Sequence, residues 1–223
     1  MTDPRSAECA GLPDFDFEAL YRGESPAAGV PAMPTPPWDL RRPKESVLGW
    51  HTQGLVRGAV LDIGCGYGDN AIYLAQHGLR VTGLEISPTA LVTAERRAAD
   101  AGVSVRFAVA DATRLDGYAG AFDTVVDSGT FHCLDDESKH RYAAAVHRAT
   151  RAGATLLISC FCDAQPAGAR RPLPVAVSER TLRDVFTGGW DLVSLLPRTV
   201  HRTYDDDTTA TMAYWLVQAR RLD

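Results

Sequence analysis

The run Val60-Leu61-Asp62-Ile63-Gly64-Cys65-Gly66-Tyr67-Gly68-Asp69 constrains this chain more than any other stretch. A short apolar strand breaks into alternating glycines and then meets a helical pattern from Ala71 to His77. Glycines at a strand-to-helix junction let backbone approach a bound group closely. A dinucleotide fingerprint would place its third glycine at position 69, where this chain has Asp69. A carboxylate there suits the helix dipole but repels a pyrophosphate. The loop therefore predicts a ligand that brings no phosphate to this point. Asp62 agrees, because a carboxylate just ahead of the glycines attracts an ammonium or sulfonium centre.

Downstream the pattern keeps alternating. Strands are predicted at Leu79 to Leu84, Val103 to Val109, Phe122 to Val126 and Ala154 to Phe161. Helices are predicted at Ser87 to Ala101, with a Ser cap and Pro88 at the first position, and at Asp135 to Thr150. Such alternation means a parallel sheet with right-handed crossovers. The tail differs. After a helix at Glu179 to Phe186, two strands, Asp191 to Thr203 and Thr209 to Arg220, read as a hairpin, so the last strand is expected antiparallel. Its turn, Asp205 to Asp207, lacks the Gly and distal Glu of a Ca²⁺ loop and reads as solvated.

The N-terminal part stands apart. A short helix is expected at Asp14 to Tyr21, then Pro26, Pro31, Pro34, Pro36 and Pro37 forbid regular helix or central strand. This segment is a linker or an ordered lid, and Trp38 with Tyr21 favours the lid. A helix from Pro43 to Leu55 follows. We therefore divide the chain into a lid segment, 1–42, and a main domain, 43–223.

Charge and cysteine usage narrow the function classes. The 28 acidic and 23 basic residues give a net charge of -5, with no run of Lys or Arg, which disfavours a nucleic-acid partner. The five cysteines show no framework spacing, and the pair Cys160 and Cys162 lacks further ligands, so free thiols are expected. No basic-then-apolar leader and no long apolar run is present, so the expectation is a cytoplasmic protein without a membrane anchor, monomeric or homodimeric.

Four carboxylates end consecutive predicted strands: Asp62, Glu85, Asp111 and Asp127. In an open parallel sheet, ligands sit outside those carboxyl ends. Glu85 can accept both hydroxyls of a ribose. Asp111 can reach an adenine amino group, with Ala112 leaving room for the ring. From Val60 to Asp127 the chain resembles class I S-adenosylmethionine-dependent methyltransferases, in its Asp62-to-Gly68 loop, acidic Glu85 and Asp111-Ala112 pair. The resemblance implies a Rossmann-like, seven-stranded, mostly parallel α/β sheet with an antiparallel last strand and helices on both faces. It also implies S-adenosyl-L-methionine as cofactor, bound by Asp62, Gly64, Cys65, Gly66, Asn70, Glu85, Ile86, Asp111, Ala112 and Asp127. Tyr21-Arg22-Gly23, Pro37-Trp38-Asp39 and Arg42-Pro43 resemble the thiopurine, thiol and heterocycle group, which implies that Trp38 covers the sulfonium side.

The acceptor is narrowed by exclusion. Asp127-Ser128-Gly129-Thr130 is not the motif of amino methyltransferases, and His132-Cys133 is not the Pro-Cys of cytosine enzymes. A metal-dependent catechol-type site would pair Asp127 with Asp163 but needs Asn where Ala164 stands, so no metal is expected. What remains is methyl transfer to N, O or S of an aromatic or heterocyclic small molecule. The alternative is a thiol or halide acceptor that needs no base. His132 is the candidate general base, or else a hydrogen-bonded histidine that shapes the pocket. Tyr21 is the second candidate catalytic residue. His51, Phe131, Cys162 and a second lid over 163–174, carrying Arg170 and Arg171, are expected on the acceptor side.

Overall fold

Local punctuation sets the element boundaries, and strand parity then sends each side chain to one of two cores. The computed structural model describes residues 15–165, 176–203 and 209–223. Its elements are α1 (Phe17–Tyr21), α2 (Glu45–Thr52), β1 (Ala59–Ile63), α3 (Asp69–Gln76), β2 (Arg80–Glu85), α4 (Pro88–Asp100) and β3 (Arg106–Val109). Then come β4 (Phe122–Ser128), a 3-10 turn (Phe131–Cys133), α5 (Asp136–Ala149), β5 (Thr150–Phe161), α6 (Glu179–Val185), β6 (Trp190–Thr203) and β7 (Thr209–Arg221). Ser87 caps α4 by accepting the Ala90 N–H, with Pro88 at the first position. Asp135 and Ser178 cap α5 and α6 in the same way.

The seven strands run in the order β3-β2-β1-β4-β5-β7-β6. β1 to β5 are parallel, and β7 inserts antiparallel between β5 and β6. The order reverses at β1, between β2 and β4, which opens a crevice at the carboxyl ends of β1 and β4. On one face Leu61, Ile63, Val125, Leu156 and Ile158 pack with Tyr142 and Val146 of α5 and Leu182 of α6. On the other, Val60, Val126 and Leu157 pack with Val47 and Trp50 of α2 and Ala71 and Leu74 of α3.

Several boundaries differ from expectation. α4 ends in a turn in which the Val103 N–H bonds Ala98 O, so β3 starts at Arg106 rather than Val103. β5 begins at Thr150, where it pairs with Phe122 across a register shift. α2 starts at Glu45 because Lys44 is extended, with φ -69° and ψ 142°, and its N–H donates to Asn70 Oδ1. The expected second lid with Arg170 and Arg171, and the Asp205–Asp207 turn, lie outside the described residues. No helix among the described residues is long and apolar enough to cross a membrane.

Candidate active site

The glycine loop is held to its neighbour strand by backbone. Gly64 and Cys65 N–H both donate to Leu84 O, at 2.7 and 3.0 Å. The Gly66 N–H donates to Glu85 Oε2 at 2.9 Å. Two of these glycines are required by close approach. A Cβ on Gly64 would stand 1.8 Å from Thr130 Oγ1, and one on Gly66 2.8 Å from the Tyr21 hydroxyl, both at positive φ.

Glu85 is fixed from three sides, since its Oε1 also accepts the Ile86 and Ser87 N–H groups at 2.8 and 3.1 Å. Burial pushes its carboxyl above the usual range, and the three backbone donors oppose this. Ile86 is 56% exposed beside it, an apolar surface open to a ring. Asp111 Oδ1 accepts the Thr113 N–H and hydroxyl at 2.8 and 2.7 Å, with half-buried Ala112 next to it.

Asp62 sits behind the loop on the α3 side. Its Oδ2 is buried without a donor, and its carboxyl is pushed up to about 8. Burial is the main cause, reinforced by Asp127, Glu85 and Asp69 and opposed by the Ala71 N–H. An orphaned buried carboxylate oxygen calls for a cation or donor. Together with the glycine cradle and the poised Glu85, it fits a ligand carrying an ammonium and a ribose, as S-adenosylmethionine does.

One expected cofactor residue is fully engaged elsewhere and a second is partly so. Asp127 shares the parity of Val125, so it turns toward α5 and is fully buried. Its oxygens accept from Gly129, Thr130 and Phe131 N–H and from the Tyr142 hydroxyl at 2.8 Å. That leaves it as the anchor of the 128–131 turn rather than a cofactor contact. Burial, offset by those donors, pushes its carboxyl up to about 6. Asn70 borders the cleft, but its Oδ1 is committed to the Lys44 N–H at 2.9 Å.

His132 lines the cleft, stacked on Phe161 at 4.6 Å. The Phe161 N–H donates to its Nδ1 at 3.0 Å. In the neutral ring the proton then sits on Nε2, which is a donor and not a base. Burial pushes the imidazole down to about 3, so it stays neutral. Of the two readings of His132, this geometry supports the hydrogen-bonded histidine over the general base. Tyr21 is buried above the glycine loop and accepts the Trp38 indole N–H at 3.1 Å. Burial, then Glu85, drives its phenol well above the ordinary value, so it too remains protonated. Burial likewise raises the Cys133 thiol at the cleft wall. Of the other residues expected on the acceptor side, His51 donates to or accepts from Tyr73 away from the cleft, and Phe131 and Cys162 are buried in the core.

Sequence reasoning missed the groups that hold the N-terminal segment down. Arg97 of α4 bridges Asp39 at 2.8 Å and Asp69 at 2.8 Å, and its guanidinium lies 4.7 Å over the Tyr67 ring. Glu18 of α1 accepts from the hydroxyls of Ser87 and Thr89. These partners are 28 to 71 residues apart, and each alone reads as a solvated charge. The cleft encloses about 1290 Å³, bordered by the glycine loop, α2, Phe17, Trp38 and one face of β6 and β7. One ligand usually occupies roughly 300–1,000 Å³, so this cleft has room for a cofactor and a second molecule. Among the described residues no three His, Cys, Asp or Glu side chains converge on a metal position.

Comparison with known proteins agrees with this geometry. The family described as "Methyltransferase domain" matches residues 60–153. A relative from Mycobacteroides abscessus, described as 2-heptyl-1-hydroxyquinolin-4(1H)-one methyltransferase, is 34% identical over 92% of this chain and 96% of its own length. A solved structure from work on the conversion of a disulfide bond into a thioacetal group during echinomycin biosynthesis is 35% identical. It superimposes with a TM-score of 0.81 over 92% of this chain and 90% of that one. A methyltransferase structure from Methanosarcina mazei, 19% identical, shares the fold with a TM-score of 0.64 over 77% of this chain and 97% of its own. With the glycine cradle, the poised Glu85 and a near full-length relative of this kind, the chain belongs to the class I S-adenosylmethionine-dependent methyltransferases that act on small molecules.

Proposed function

We propose that the protein methylates a heteroatom (N, O or S) of an aromatic or heterocyclic small molecule whose acceptor atom ionises by itself near neutral pH. One observation carries this reading. Three titratable side chains nearest the glycine loop and the 128–133 turn are held protonated or proton-bearing: His132 by its Nδ1 bond, Tyr21 and Cys133 by burial. None of the three offers a base. The acceptor must then arrive as its own anion or as a soft neutral nucleophile, and the protein contributes positioning and desolvation. The N-hydroxy heterocycle in the name of the Mycobacteroides relative's substrate belongs to that class.

On this reading Asp62, Glu85, Asp111 and the Gly64-to-Gly66 backbone hold the cofactor, which supplies an electrophilic methyl group on a sulfonium. Trp38 and Tyr21 close over the loop as part of a lid formed by residues 15–42. His132 Nε2–H donates to the acceptor or orients it. The acidic net charge supports a small acceptor over a nucleic acid.

The test measures S-adenosylhomocysteine formation with 2-heptyl-1-hydroxyquinolin-4(1H)-one, benzenethiol and iodide across pH 5–9. Turnover of the hydroxyquinolone, with a rate limb that moves with the acceptor's own pKa, is expected. Turnover of iodide or benzenethiol alone would instead support a thiol or halide methyltransferase, which needs no base.

A further inference from the structure

We propose that the inner face of the β6–β7 hairpin is a trough for an apolar tail carried by the methyl acceptor, an unbranched alkyl chain being the simplest case. This rests on the cleft being the acceptor site. Strand parity and register build the face. Leu196 pairs with Leu216, Arg198 with Tyr214 and Val200 with Met212, and all six border the same cavity as the glycine loop. Leu216 packs on the α2–α3 side of the sheet, so the row continues the wall that holds Trp50. The opposite face is already used, since Leu192 and Leu195 pack against the core under α5 and α6.

Leu196 and Val200 are 46% and 38% exposed on the inner face. From Leu196 to Val200 the strand rises about 13 Å, enough for a chain of several methylenes. Arg198 lies between them and is exposed; an arginine there adds its methylene stem to the apolar surface while its head stays in water. Continuity with the cleft selects the occupant. A tail leaving a ring held near His132 and Phe161 passes Tyr214, which pairs with Phe161 across the β5–β7 ladder, and runs onto the hairpin. A second protein copy would have to reach into the cleft to cover the same row.

The test reads affinity, so it stands apart from turnover. Calorimetry in the presence of S-adenosylhomocysteine follows 2-alkyl-1-hydroxyquinolin-4(1H)-ones and 4-alkylphenols, each from methyl to nonyl. Affinity is expected to rise about three- to fourfold per methylene until the trough is filled. Leu196→Asp and Val200→Asp should flatten that slope. Val193→Asp, at a 50% exposed position that does not border the cavity, should leave it intact. A slope near zero in both series, or an equal slope in Leu196→Asp, would overturn the trough. A flat slope together with a dimer that Leu196→Asp dissociates in sedimentation would also overturn it, and would make this face a subunit interface. Length-dependent binding without methyl transfer would sink the proposed function and leave the trough standing.

Discussion

Binding of S-adenosylhomocysteine should release a proton, and Asp62 should be its source. Before binding, the carboxyl titrates at about 8, raised first by burial and then by Asp127, Glu85 and Asp69. At pH 7 about nine in ten molecules therefore carry that proton. An ammonium placed against the orphaned Oδ2 favours the carboxylate; if it restores an ordinary value near 4, release is about 0.9 proton at pH 7 and about 0.5 at pH 8. The sign follows from mass action: a ligand that expels a proton binds more tightly as pH rises. Affinity should climb by about tenfold per unit between roughly pH 5 and 8 and then level off. The assay is calorimetry at pH 7 in phosphate and in Tris, whose ionisation enthalpies differ. The difference in apparent heat counts the protons, and Asp62→Asn should abolish it. Heats that do not depend on buffer would refute the reasoning. So would a release that survives in Asp62→Asn, which would move the source to Glu85, also raised by burial.

Other perturbations test the remaining parts of the site. Gly64→Ala drives a Cβ to 1.8 Å from Thr130 Oγ1 at a φ of 66°, so S-adenosylhomocysteine affinity should drop at least about tenfold, about 1–3 kcal/mol of strain. Adding Thr130→Ala should recover part of it, and calorimetry reads both. Arg97→Ala strands Asp39, whose side chain is 2% exposed, at a cost of about 3 kcal/mol. For a chain of this size that lowers Tm by about 6–12 °C in a thermal melt. His132, depressed from 6.5 to about 3, stays neutral in the native state while the unfolded chain takes up a proton below about 6.5. Its contribution is complete above that pH and is lost as pH falls toward 3. The stability gap between wild type and His132→Asn in urea should therefore shrink over that window, and wild-type rates should show no histidine limb near 6.5.

Most of the fold is legible in the sequence because it is written in local signals. Gly64 to Gly68 marks the first turn, Ser87-Pro88 starts α4, and the change of pattern after Thr187 announces the hairpin. Glu85 ends β2 and Asp111 follows β3 by two residues, so both border the cleft as their positions in the pattern predict. Asp127 is misread for a reason that strand parity could have supplied. It sits two residues from Val125 and one from Val126, so it faces α5 with the former. The sequence leaves two roles open for His132, and the choice between them is not legible. It depends on the Phe161 N–H, 29 residues away on a different strand, and that single bond converts a base into a donor. The Asp39–Arg97–Asp69 clasp is hidden in the same way: three charges on separate elements meet only once the sheet is assembled.

The two halves of the cleft use opposite physics, and this bears on turnover as well as binding. Under the proposed binding mode Asp62, Glu85 and Asp69 lie on the cofactor side, and burial raises each of these carboxyls above its ordinary range. Ionised beside a bound ligand, they would stabilise a sulfonium and give nothing to the neutral thioether that methyl transfer leaves behind, which favours the substrate form over the product form. Under the same proposal the acceptor side is walled by Phe161, Trp50, Leu196 and Met212, with the His132 Nε2–H as a hydrogen-bond donor. An acceptor anion there is desolvated next to a cation. Both effects need water kept out, the role we propose for the segment carrying Tyr21 and Trp38. Arg97 ties that segment to α3 and α4 through Asp39 and Asp69. Since Asp69 opens the helix that follows the glycine loop, the same guanidinium joins the cover to the cofactor cradle, and loosening it should weaken cofactor binding and acceptor binding together.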